Sequence, residues 1–229
     1  MAFNIKQLFH ISKILTLLFL CLFYPYIVQS ETSHSSGCAL DLDLNTINYD
    51  DTISLKDIET QVLTHTNASI RVGVIAQNVM NLDTYQVEIL FNPKQFVFIK
   101  GEEDNISSGL KNILKKNGGQ TLGFSSIENS PGVVTISNAL SGQPDESIAP
   151  EGSGIIAILH FKVQTCSSFE NNLSLSQIYY LDHNLGEEVV HNYTNAIIQL
   201  SQPIQMDMDG NCRLDLIDVI LMLQQLSHF

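Results

Sequence analysis

The chain has 229 residues, of which 44% are hydrophobic and 15% charged, the composition of a packed globular protein rather than a disordered one. Acidic residues number 24 against 11 Lys and Arg, a net charge of −13; with Lys6 and Lys13 of the first 30 residues set aside, 9 cations face 24 acids, a net of −15. Such a surface repels phosphate backbones and anionic lipid, so no nucleic-acid partner is expected, and it suits hard cations, above all Ca²⁺.

Residues 1–30 read as a secretory signal peptide. Lys6 and Lys13 flank the start of the segment, Ile14 to Val28 is almost wholly apolar, and Val28-Gln29-Ser30 supplies the cleavage region. Pro25 interrupts the run, which falls short of the roughly 20 apolar residues that span a bilayer, so no membrane contact is expected beyond the leader. Export implies an oxidising compartment, where two of the remaining Cys38, Cys166 and Cys212 would pair. Three single pairings exist and the sequence does not choose among them; Cys38–Cys166 is favoured, because Cys38 opens the first strand and Cys166 closes a late one.

The middle of the chain is a series of short strands. Ala39–Leu44, Ser69–Ala76 and Tyr85–Phe91 alternate apolar and polar residues, and Asn92-Pro93 stops the third. Val97–Ile99, Leu122–Ser126, Val133–Ser137, Ile155–Val163, Leu173–Leu181 and Ala196–Leu200 follow, separated by Gly, Pro, Asn and Ser clusters. Nine strands at this spacing predict an all-β sandwich. Ile106 to Lys116 breaks the pattern: Ile106, Leu110, Ile113 and Leu114 sit at helical spacing before Asn117-Gly118-Gly119, predicting a short inserted helix.

Ile70 to Phe96 resembles the second to fourth strands of a cohesin domain, and Gly154 to Val163 with Leu173 to Asp182 resembles its late strands. The resemblance covers residues 38 to 201. It implies a nine-stranded jelly-roll β-sandwich that binds other proteins, and it assigns no partner-binding residues, because it lies in distributed pattern rather than in a motif.

The strongest local signal is Asp207-Met-Asp-Gly-Asn-Cys-Arg-Leu-Asp-Leu-Ile-Asp218. Taken as a twelve-residue calcium loop, it places Asp207, Asp209, Asn211, Asp215 and Asp218 at positions 1, 3, 5, 9 and 12, with Arg213 contributing a backbone carbonyl from position 7. Residues 204–229 thus resemble one calcium-binding half of a dockerin, an EF-hand-like loop and helix. Cys212 departs from the pattern where Gly normally makes the sharp turn. The alternative is a metal-free, Asp-rich turn that caps the terminal helix. That helix carries Leu216, Ile217, Val219, Ile220, Leu221, Met222, Leu223 and Leu226, too apolar all round to stay in water, so it is expected to dock on its own sandwich or in another molecule.

Catalytic signatures are lacking: no Gly-x-Ser-x-Gly elbow, His-Glu-x-x-His helix or Gly-rich phosphate loop occurs. Glu102-Glu103 and Glu187-Glu188 read as solvated surface rather than glycosidase carboxylates. Four Asn-x-Ser/Thr sequons begin at Asn67, Asn105, Asn172 and Asn192 and would matter only in a eukaryotic secretory pathway. The chain has no Trp, which weakens a sugar-binding platform, and of Tyr179 and Tyr180 one should face the core. The expected protein is an exported, non-enzymatic scaffold, secreted or at a bacterial cell surface. It would assemble with a dockerin- or cohesin-type partner around polysaccharide binding or breakdown. A carbohydrate-binding module stapled by its calcium loop and a surface adhesion subunit are the alternatives.

Overall fold

The computed structural model describes residues 35–44, 57–105, 109–142, 147–165, 169–184, 186–200, 208–209 and 215–227. The expected signal peptide (residues 1–30), Cys166, Cys212 and most of the tail loop lie outside these residues. No described helix is long and apolar enough to cross a membrane.

Two sheets face one another. The described strands are β1 (Gly37–Asp41), β2 (Gln61–Thr64), β3 (Ser69–Val79), β4 (Leu82–Leu90), β5 (Phe96–Glu102), β6 (Ser125–Ser130), β7 (Val133–Ala139), β8 (Gly152–Val163), β9 (Phe169–Asp182), β10 (Glu187–Val189), β11 (Asn192–Thr194) and β12 (Ala196–Leu200). The smaller sheet has the order β11-β1-β3-β8-β5, and the larger β2-β12-β9-β4-β7-β6 with β10 also on β9. Pairing is antiparallel except for β1 with β11 and β2 with β12. The chain crosses between sheets repeatedly, as at β3 to β4 and β8 to β9, so each sheet is assembled from distant segments.

The alternation that predicted the strands also sets their inner rows. Val72 and Val74 of β3, Tyr85, Val87 and Ile89 of β4, Leu159 and Phe161 of β8, and Ile178 and Tyr180 of β9 fill one core between the sheets. Phe91, Phe96 and Phe98 surround Phe161, with ring centroids 5.2, 6.5 and 5.6 Å away in tilted or edge-on contact. Two tyrosines bind the layers across this core: Tyr85 Oη donates to the Ile156 carbonyl at 2.6 Å, and Tyr180 Oη to the Gly37 carbonyl at 3.1 Å. Gly132, at φ +86°, turns β6 into β7, where a Cβ would lie 2.5 Å from the Phe91 carbonyl oxygen.

Three sequence expectations are corrected. The described residues form twelve strands rather than nine: β2, β10 and β11 are three or four residues long, too short to show a period. The strand expected at 122–126 starts at Ser125 and runs to Ser130. The helix expected over 106–116 is reduced to one 3₁₀ turn, Ile113–Lys115, preceded by a bridge between Asn105 and Leu110. There Leu110, Ile113 and Leu114 are buried by the sheets, and tertiary packing overrides their helical spacing.

Cys38 is free and buried, and its expected partner Cys166 lies outside the described residues. Burial pushes the Cys38 thiol up to about 12, against the hydrogen bonds to Tyr180 and the Ala39 backbone that pull it down.

Candidate functional site

The larger sheet turns its outer face to solvent, and the registers place its side chains in rows. Tyr179 of β9, Gln86 of β4, Ser137 of β7 and Ser125 of β6 stand side by side across four strands. The next row holds Glu88, Thr135 and Ile127, and the next Ser174, Leu90 and Val133. Ser176 Oγ donates to Glu88 Oε1 at 2.6 Å, and Asn129 Nδ2 to Thr135 Oγ1 at 2.6 Å, so polar side chains are held by neighbours on the same face. In these three rows only Glu88 is charged, and Ile127 and Leu90 are exposed apolar contacts. The face is four strands wide and carries Ser, Thr and Gln with interspersed apolar groups. Tyr179 and Tyr180 divide as alternation requires: Tyr180 is core and Tyr179 lies half-buried on this face.

Beneath the sandwich edge lies a polar group invisible in the sequence. Asn112, itself buried, donates from Nδ2 to Tyr85 Oη at 2.8 Å and to the Ile156 carbonyl at 2.7 Å, and its Oδ1 accepts from the Leu114 N–H at 3.0 Å. Asp104 accepts the Asn112 N–H at 2.8 Å and pairs with Lys115, which also meets Glu103 at 3.0 Å. Glu103 in turn accepts from the buried Asn138 Nδ2 at 2.8 Å. Burial alone would lower the Lys115 pKa, but its hydrogen bonds and charge contacts with Asp104 and Glu103 outweigh that and raise it. Burial is the largest influence on Tyr85 and Tyr180 as well, and raises both phenols. These groups pin residues 103–105 and 112–115 to both sheets.

The acidic pairs are therefore not simply solvated. Glu102 pairs with Lys100 and with His160 Nε2, 3.0 Å away, while Glu103 belongs to the network above. The Lys100 hydrogen bond is the largest influence on the Glu102 carboxyl and holds it below its ordinary value, with His160 adding to the effect against a desolvation that opposes it. Glu188 Oε1 accepts the Ser36 N–H at 3.2 Å.

Of the six expected calcium ligands, Asp209, Asp215 and Asp218 are described; Asp207, Asn211 and Arg213 lie outside the described residues. The helix α1 (Leu216–Ser227) follows, and Asp218 in its first turn is buried. Asp218 Oδ1 accepts the N–H groups of Met208 at 2.7 Å and Asp209 at 3.4 Å, and Oδ2 accepts that of Asp215 at 2.8 Å. The Asp215 amide is the largest influence on this carboxyl and keeps it below its ordinary value, with Met208 and Asp209 adding to it against desolvation. Residues 208, 209 and 215 are thereby drawn onto the two oxygens of Asp218, which closes the described part of the loop on its last position. Asp215 Oδ1 accepts the Ile217 N–H at 2.8 Å. Among the described residues alone, no three His, Cys, Asp or Glu side chains converge as a metal site. The apolar side chains of α1 stand in solvent: Leu216 is 72% exposed, Leu223 60% and Leu226 64%.

No protein-family model matches the chain, and no curated protein does. Its fold is found among solved structures. The sixth cohesin of scaffoldin B from Acetivibrio cellulolyticus, solved in complex with a mutant dockerin, is similar at 16% identity and a TM-score of 0.51, covering 73% of this chain and 99% of that one. A chain of a type I cohesin–dockerin complex from Clostridium thermocellum is similar at 7% identity and a TM-score of 0.52, covering 74% and 95%. A type II cohesin domain from the cellulosome of Acetivibrio cellulolyticus is similar at 14% identity and a TM-score of 0.50, covering 77% and 97%. The described sandwich has the jelly-roll fold of these cohesin domains.

Proposed function

We propose that this chain is an exported, non-catalytic scaffold module that binds a dockerin-type protein on the outer face of β9, β4, β7 and β6. The observation that carries the reading is that face: four strands wide, open to solvent and, in its three central rows, charged only at Glu88. The likeness to cohesin domains solved with dockerins supports the class of partner. The cellulosome origin of the type II neighbour supports a setting of extracellular assembly around polysaccharide breakdown.

The tail adds a calcium site in this reading. Asp207, Asp209, Asn211, Asp215 and Asp218 with the Arg213 carbonyl would hold the ion, which supplies charge neutralisation to a loop of four carboxylates. The closure of the loop on Asp218 supports it.

The test is titration calorimetry of residues 31–229 against purified type I and type II dockerins, beside Gln86→Arg and Ser137→Arg variants. Binding by one dockerin class that falls about tenfold or more in both variants is expected. Binding that ignores both variants, or no dockerin binding with binding to a glycan panel instead, would overturn the reading. Calcium titration of wild type beside Asp207→Ala and Asp218→Ala tests the tail separately.

A further inference from the structure

The outer face of the smaller sheet is divided. One half is roofed: Leu44, Ile75, Leu110, Ile155 and Ile158 form a second apolar cluster, and Gly73 leaves room for Leu44, whose Cδ2 would lie 2.6 Å from a Cβ there. The roof stops at the row holding Gly73 and Ile158. Beyond it, two rows stand bare: Arg71 of β3, His160 of β8 and Lys100 of β5, then Ser69, Lys162 and Val97. Arg71 and Lys162 are exposed and make no ion pair among the described residues, and Glu102 is the acid that meets this patch, through Lys100 and His160. Val97 is 40% exposed and Ile99 54%. A chain with a net charge of −13 thus gathers Arg71, Lys100 and Lys162 beside two exposed apolar side chains.

The same chain carries the complement. Its tail is acidic and then apolar: Asp209 and Asp215 are exposed and lead into the exposed side chains of α1, whose last turn holds no basic residue. Positive charge with apolar neighbours on one surface matches negative charge with apolar neighbours on the other. We infer that the tail of a second copy of this chain docks on the Arg71–Lys100–Lys162 patch, covering α1 and building head-to-tail assemblies. Because patch and tail are different surfaces, the contact is heterologous and need not close on itself, so copies add in series. This surface is separate from the proposed dockerin face, and the two stand or fall independently.

Sedimentation velocity on residues 31–229, from about 1 to about 200 μM at low salt, reads the assembly. Species larger than a monomer, growing with concentration, are expected. Arg71→Glu with Lys162→Glu should weaken association about tenfold or more, as should Leu223→Asp on the exposed helix. Mixing these two defective proteins restores one junction, because each keeps the surface the other lost, and a heterodimer is expected. Circular dichroism of both variants checks that the sandwich is intact. A wild type that stays monomeric throughout, association that ignores the charge reversal, or a mixture that restores nothing would each overturn the inference. A monomer whose α1 is protected from hydrogen exchange would do so too, by showing that the tail docks within its own chain.

Discussion

The outer faces of the two sheets differ in what covers them. β1 of the smaller sheet is buried along its whole length, and Asp41 within it is satisfied by the N–H groups of Asp43 and Glu59 at 2.9 and 3.3 Å. β4 of the larger sheet alternates, with Tyr85, Val87 and Ile89 inside and Gln86 and Glu88 outside. A strand covered on both sides contributes stability on both; a strand covered on one side leaves the other available for contact. In this molecule the roofed half holds the fold, and the bare surfaces are the places where substitutions should alter binding and leave stability alone.

The sharpest way to break that comparison is to empty the roof. Ile158→Ala removes a fully buried side chain beneath Leu44 and Leu110, and a loss of about 3 kcal/mol is expected in guanidinium unfolding. A loss below about 1 kcal/mol would mean that the roof contributes little. Next comes the polar pin. Asn112→Leu removes two donors and the acceptor of the Leu114 N–H, and should cost about 2 kcal/mol, with faster amide exchange between residues 110 and 116. By contrast, Gln86→Arg on the open face should shift stability by no more than about 0.5 kcal/mol; a larger loss would show that the face is structural.

The smallest effect belongs to Glu102. Its carboxyl is held below the ordinary 4.5 in the folded protein, so the stabilisation is present above that value and is lost as pH falls through the lower, folded value. The difference in melting temperature between wild type and Glu102→Gln should therefore be present at neutral pH and close in acid. A difference that grows as pH falls would contradict the ion pairs with Lys100 and His160. The three side chains are partly open to solvent, so the whole effect should also shrink in high salt.

Much of this architecture was legible from alternation. A period of two in Ser69–Ala76 and Tyr85–Phe91 reports a strand with two unlike faces, and the fold keeps Val72, Val87 and Ile89 on the inner one. The Tyr179–Tyr180 split followed from the same geometry. Periodicity failed where a segment's partners are distant: Leu110, Ile113 and Leu114 repeat like a helix but bury against strands far along the chain, and β2, β10 and β11 exist because a neighbour pairs with them. The open face was within reach of the sequence, since Gln86 and Glu88 lie on the outward parity of a strand already read as amphipathic. Asn112 carried no signal, because a buried Asn in a loop looks like any turn residue until its partners are known.

The sequence by itself determined that this chain is a β-sandwich, that strands such as Ser69–Ala76 and Tyr85–Phe91 have two unlike faces, and that its tail gathers four carboxylates ahead of an apolar helix. These are local properties of spacing and charge. Only the tertiary structure decided which outer surfaces are roofed and which are bare, and that Arg71, Lys100 and Lys162 share one patch. Each of these depends on strand order and register between distant segments, and a period along one strand carries no information about which strand lies beside it.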